Sequence, residues 1–302
     1  MSVMTAAAPL HSPEPDPQRG YAAPFRLTRP EGPALPLLLA SPHSGRTYPD
    51  SMRASLAVPL IELRRTEDAF VDELFAGAAG HGASLIEANY ARGFVDLNRD
   101  PLELDPDMFI DGPPRRCGSP GARVQAGLGC LPRVAAHGRA IYRQRMCKAE
   151  GERRLAEVHD AYHGALTAEI AGLVSQFGLA FLIDCHSMPS AQPGRRQLAD
   201  IVLGDRYGAS CTSRLTSRAE REFRRLGYSV ARNSPYAGGY TTTKYGRPGM
   251  GVHALQIEIR RDLYMDERRV ARHERFDALR KDLDQVIAGL GDFIRRHASM
   301  GD

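Results

Sequence analysis

Residues 35–45 read LPLLLASPHSG, an uninterrupted apolar run that stops at Pro42-His43-Ser44-Gly45. A run that is apolar at every position, rather than every second one, suits a strand covered on both faces. Similar runs follow at 83–87, 93–97, 179–183, 200–203 and 255–259. Helical periodicity lies between and after them. It appears at 68–79 and at 213–226, and in the three- and four-residue steps of Leu155, Val158, Tyr162, Leu166, Ile170, Leu173, Val174 and Phe177. The chain closes with the same spacing, from Phe276 through Leu279, Leu283, Val286 and Leu290 to Ile294. Buried strands separated by amphipathic helices predict an α/β fold, a three-layer sandwich around a mostly parallel mixed sheet.

The chain has 302 residues with 42% hydrophobic content, enough for one large domain. Its Pro-rich start suggests a flexible arm over 1–25, leaving 26–302 as a single catalytic domain. The net charge is +4, from 40 basic and 36 acidic residues without a long basic run, so a nucleic-acid partner is not expected. No 18-residue apolar stretch predicts a membrane span, and the N-terminus lacks signal-peptide character. The five cysteines are scattered and form no CxxC pair, which fits a reduced, cytoplasmic chain, expected as a monomer or homodimer. Lys occurs only at Lys148, Lys244 and Lys281, so the basic residues are mostly Arg. The guanidinium fork suits carboxylates, and a small anionic substrate follows as the expected partner.

In open α/β sheets, ligands bind at the carboxyl ends of strands. His43 follows the first run, and His186, in Asp184-Cys185-His186-Ser187, follows the 179–183 run. Two imidazoles converging on one crevice suit Zn²⁺, whose catalytic sites take three protein ligands. The third falls to Glu67 or Asp68 in Thr66-Glu67-Asp68-Ala69, the other acting as a cap or support. Glu258 stands mid-strand in QIEIR (256–260), where a buried carboxylate is either used as a general base or paired with an Arg. In RGFVDLNRD (92–100), strand alternation places Asp96 and Asn98 on one face, bracketed by Arg92 and Arg99. That set either holds a substrate carboxylate and a developing oxyanion or forms structural ion pairs. The Gly-rich turn GGYTTT (238–243) lacks the P-loop pattern and reads as a loop closing over substrate with Tyr240 and Thr241. The Pro- and Gly-rich stretch 104–132 reads as a surface excursion, a lid or an insertion. Cys185 is a poor nucleophile candidate, because adjacent strand residues point to opposite faces and His186 is its neighbour.

Taken together, SPHSGRTYP (41–49), TEDAFVDELF (66–75), ARGFVDLNRDP (91–101), DCHSMPS (184–190), ADIVLGD (199–205), NSPYAGGYTTTKYG (233–246) and HALQIEIRRDLYMD (253–266) resemble the N-formylglutamate amidohydrolase family. The resemblance spans most of the chain in the family's order. It implies a zinc exopeptidase-like fold of the phosphorylase/hydrolase type, related to carboxypeptidases. It also implies zinc-dependent hydrolysis of N-formyl-L-glutamate to L-glutamate and formate, a step of histidine breakdown. It casts His43, Asp68 and His186 as metal ligands, with Glu67 as the alternative acid. Glu258 becomes the general base, and Arg92, Asn98 and Arg99 become substrate and oxyanion contacts. One position departs. Related carboxypeptidases carry their acidic ligand three residues after the first His, where this chain has Arg46. Alternative readings keep the site but take another N-acyl amino acid or a γ-glutamyl compound, or make the chain a non-catalytic binding protein for acidic amino acids.

Overall fold

The computed structural model describes residues 21–135, 138–191 and 198–298. Seven strands build its main sheet: β1 (Phe25–Thr28), β2 (Leu37–Ser41), β3 (Ser84–Ala88), β4 (Ala180–Met188), β5 (Ile201–Gly204), β6 (Val230–Arg232) and β7 (Val252–Arg260). Their order is β1-β3-β2-β4-β7-β5-β6. β3, β2, β4 and β7 run parallel, as do β5 and β6, while β1 joins β3 and β5 joins β7 antiparallel. This is the mostly parallel mixed sheet read from the apolar runs.

The continuous runs are explained by what lies on each face. Leu37 and Leu39 pack with Phe181, Ile183, Leu255 and Ile257 under the helices Ser213–Arg225 and Phe276–Ala298. Leu38 and Ala40 pack with Ala180 and Leu182 under the helix Ala161–Phe177. Each buried leucine side chain contributes about 1.5–3 kcal/mol. Neither face of β2 is free to carry a polar residue until the strand ends beside His43.

Residues 148–177 form one long helical stretch, with an α-helix at Lys148–Arg154, a π-helical turn at Leu155–Asp160 and an α-helix at Ala161–Phe177. The π turn carries an extra residue per turn and shifts the phase of the helix. Both His159 and His163 are buried, and they reach the Arg99 carbonyl at 3.1 Å and the Leu97 carbonyl at 2.8 Å.

Two expected elements differ. The 93–97 run is not a strand but a chain of turns, closed by Phe94 N–H to Ala91 O at 2.8 Å and Arg99 N–H to Asp96 O at 3.3 Å. Its apolar residues are buried because they cap the Ala161–Phe177 side of the core. Its alternation comes from an Asp turn, in which Asp96 Oδ1 accepts the Asn98 N–H at 3.0 Å. The expected helix over 68–79 is also broken. Only Val71–Leu74 is α-helical, followed by a 3₁₀ stretch at Ala76–His81, because Phe70 enters with φ of 67°.

Of the expected N-terminal arm, residues 1–20 lie outside the described residues. From Tyr21 onward the chain is tied down. The Tyr21 hydroxyl donates to Glu150 at 2.7 Å, and its ring packs edge-on against Phe94 at 5.2 Å. The 104–132 excursion folds back on the turns just described, with Asp96 N–H bonded to Cys130 O at 2.8 Å. Among the described residues no helix is long and apolar enough to cross a membrane.

Candidate active site

The carboxyl ends of β2, β4 and β7 open into a cleft of about 590 Å³. His43 stands just past β2, His186 near the end of β4, and Glu258 directly beside His186 in the β4–β7 register. Asp68 follows a tight turn after the helix Leu60–Arg64, and its N–H donates to the His43 carbonyl at 3.0 Å. Backbone alone thus brings the two segments together.

Asp68 is the hub. Its Oδ2 lies 2.9 Å from His186 Nδ1 and 3.3 Å from His43 Nδ1. Its Oδ1 accepts from Arg261 Nη2 at 2.9 Å and lies 3.8 Å from Arg92 Nη1. Burial would raise the Asp68 carboxyl, but the hydrogen bond from His186, the nearby His43 imidazole and the charge of Arg261 outweigh it and hold the group well below the usual carboxylate range. Burial would lower the His186 imidazole, and Asp184 and Asp68 outweigh that to hold it well above the usual range.

The other nitrogen of each ring also meets a carboxylate. His43 Nε2 lies 2.7 Å from Asp96 Oδ1, and His186 Nε2 lies 3.1 Å from Asp184 Oδ2. A carboxylate behind Nε2 favours a proton at that nitrogen, so that Nδ1 would be the atom offered to a cation. His43 Nδ1 is buried without a hydrogen-bond partner. One donor atom from each of His43, Asp68 and His186 lies within 4.8 Å of the others. An orphaned, inward-facing imidazole nitrogen beside a second imidazole and a shared carboxylate fits a divalent cation, and two nitrogens with one oxygen suit zinc.

The alternative acid points elsewhere. Glu67 accepts the Tyr48 hydroxyl and lies 3.6 Å from Arg64. Arg46, at the departing position, sits at the surface and pairs with Asp72 at 2.6 Å. Cys185 projects into the opposite core face, and burial pushes its thiol well up.

Glu258 lines the cleft. Gln256 Nε2 donates to its Oε1 at 2.8 Å, and burial pushes its carboxyl up to about 7. The pairing of Glu258 with Arg260 does not form, because Arg260 turns out to Asp262 and Asp200. Arg92 and Arg99 both line the cleft. Arg92 donates to Asp96 at 2.8 Å. Asn98 is buried: its Nδ2 donates to Asp184 Oδ2 at 3.3 Å and lies 2.9 Å from His186 Nε2, and its Oδ1 accepts the Thr241 N–H at 2.8 Å.

Two expected contacts are displaced. Tyr240 packs on His163 with ring centroids 5.2 Å apart, and Thr241 is held behind Asn98, so Gly238 and Gly239 form the cleft wall instead. A side chain at 239 would overlap the Asn98 amide, which is why the chain comes so close only at glycine. Residue spacing carried no signal for Asp184 as a histidine partner, nor for Arg261. Arg261 also donates to Ser187 Oγ at 3.1 Å and to the Arg65 carbonyl at 2.9 Å.

The family model described as N-formylglutamate amidohydrolase matches residues 35–265. An N-formylglutamate deformylase of Pseudomonas aeruginosa is 36% identical over 240 residues, 77% of this chain and 83% of that one. Its counterpart from Pseudomonas putida is 34% identical over 238 residues, with the same coverage. The crystal structure of N-formylglutamate amidohydrolase from Ralstonia eutropha JMP134 matches with a TM-score of 0.86 at 38% identity, covering 91% of this chain and 100% of that one.

Proposed function

The chain belongs to the N-formylglutamate amidohydrolase family, and on that premise we propose that it hydrolyses N-formyl-L-glutamate to L-glutamate and formate in a zinc-dependent reaction. The observation that carries the reading is the Asp68-bridged histidine pair facing Glu258 in an arginine-lined cleft. His43, Asp68 and His186 would hold the ion, which when bound supplies Lewis acidity for acyl transfer to water.

The protein's own groups divide the remaining work. Glu258 accepts a proton from the water that adds to the formyl carbon. It returns that proton to the amide nitrogen as the C–N bond breaks, so formate and the free amine leave. A carboxyl raised to about 7 is matched to both transfers near neutral pH. Arg92, fixed by Asp96, donates to the oxygen where negative charge develops. Arg99 takes a substrate carboxylate. Asn98 and the Thr241 N–H act behind the histidine, as positioning groups.

The same proposal takes in a small anionic amino-acid substrate, a cytoplasmic enzyme working as monomer or homodimer, and a place in histidine breakdown. The test is formate release from N-formyl-L-glutamate by purified, metal-replete protein, with metal content measured on the same sample. Turnover with about one zinc per active chain is expected from a single three-ligand site. Absence of turnover with zinc bound would overturn the substrate, and turnover unaffected by chelation would overturn the metal.

A further inference from the structure

The cleft holds more guanidinium charge than its own carboxylates neutralise. Arg65, Arg92, Arg99, Arg123 and Arg261 all line it. Arg92 and Arg261 are committed to Asp96 and Asp68. Arg99 and Arg123 form no ion pair among the described residues. Arg99 spends two donors on carbonyls, Nη1 on Asn98 O at 3.0 Å and Nε on Leu128 O at 3.2 Å.

Leu128 ties these two arginines together. Its carbonyl accepts from Arg99, and its own N–H donates to the Arg123 carbonyl at 2.8 Å. Arg123 sits on the short helix Ala122–Gln125 of the excursion, exposed at the cleft mouth. The carrier is anchored. Gly127 turns with φ of 77°, Cys130 N–H donates to Glu103 O at 2.7 Å, and Asp96 N–H donates to Cys130 O at 2.8 Å. The excursion is thus bonded to the loop that carries Arg92, Asp96 and Asn98. Burial together with the positive charge of Arg92 and Arg123 pulls the Arg99 guanidinium below the usual arginine value. Two cleft arginines that sense each other's charge and form no ion pair of their own among the described residues make a fork that a ligand carboxylate completes.

We propose that Arg123, with Arg99, binds the side-chain carboxylate of the substrate and makes the cleft selective for N-acyl amino acids with an acidic side chain over their neutral amides. The inference rests on the deformylase reading. In that substrate the side-chain carboxylate is the group farthest from the reacting carbon, and Arg123 is the cleft cation at the rim. The excursion is then the specificity element of the enzyme.

The test compares kcat/KM for N-formyl-L-glutamate and N-formyl-L-glutamine in wild type, R123Q and R123K. The preference for the acid falls about 10- to 100-fold in R123Q, mainly through KM, and R123K retains part of it. An unchanged preference in R123Q overturns the inference. Calorimetry with glutarate on the same proteins gives a second reading, with roughly tenfold weaker binding expected in R123Q. Equal glutarate binding overturns the Arg123 site even if neither formyl compound is hydrolysed. Absence of turnover with glutarate binding that depends on Arg123 refutes the deformylase reading and leaves the carboxylate site standing.

Discussion

Replacing Glu258 with Gln should separate catalysis from folding. Glu258 is 6% exposed on β7, and its one hydrogen bond among the described residues comes from Gln256. A glutamine there keeps the volume and an amide oxygen for that donor. Its NH₂ can also serve Gln256 Oε1, which is buried without a partner. No hydrogen bond is lost, one is gained, and a buried charge disappears. At pH 8, where the carboxylate must be ionised, the change favours folding of the metal-free protein by about 1–3 kcal/mol. That corresponds to a rise in melting temperature of about 2–4 °C per kcal/mol. Turnover moves the other way. Loss of the general base lowers kcat by about 10²- to 10⁴-fold. The assay pairs formate release with thermal melts of the chelator-treated protein at pH 8 and metal content of the loaded protein. Turnover within tenfold of wild type would refute Glu258 as base. A lower melting temperature in E258Q would show that its charge is structural, and would refute the account of its burial.

Asp184→Asn and Asp96→Asn each remove the carboxylate behind one histidine, and each should weaken zinc binding about 10- to 100-fold in competition with a chromogenic chelator; unchanged affinity would mean the rings are oriented by packing alone. Chelation should lower the melting temperature and zinc should restore it, with a gain of about 2.7 kcal/mol at free zinc a hundredfold above Kd. No shift on either treatment would favour the metal-free binding-protein reading. Gly239→Ala places a methyl group on the Asn98 amide, so Asn98 must leave His186. We expect kcat/KM to fall by roughly a hundredfold with the melting transition intact, and wild-type kinetics would show that Asn98 has no positioning role.

Much of the frame was legible because burial on two faces leaves its mark on sequence. β2, β4 and β7 carry long apolar runs, and the histidines that end two of them are the two that meet. β1 and β6 left little trace, since each is short, lies at a sheet edge and is at most half buried. The 93–97 stretch misled for a physical reason. An Asp turn capped by buried Phe94, Val95 and Leu97 produces the same alternation as a half-buried strand. Asp96 and Asn98 still reach the site, but through turn geometry. Glu67 and Asp68 part company only in three dimensions, where Tyr48 draws one carboxylate away and Arg261 holds the other beside the histidines. Asp184 follows the 179–183 run two residues before His186, and spacing gives no hint that its carboxylate lies beside that imidazole.

The pairing of His186 with Glu258 across β4 and β7 has a consequence for how this enzyme can change. Both residues are bound into parallel hydrogen-bonded strands at the same level, within the centre of a seven-stranded sheet. A one-residue slip of either strand would turn every side chain to the other face. The separation between the proposed ligand and the proposed base is therefore set by the lattice of the sheet and not by loop motion. Arg123 and Leu128 sit on a surface connection of the kind that tolerates insertion and exchange. On the proposed reading, the spacing of ligand and base lies in the strands and the choice of substrate in the excursion. On that reading, substitutions in the excursion would redirect the protein to other acyl amino acids, while the bond it breaks would stay fixed by the strands beneath.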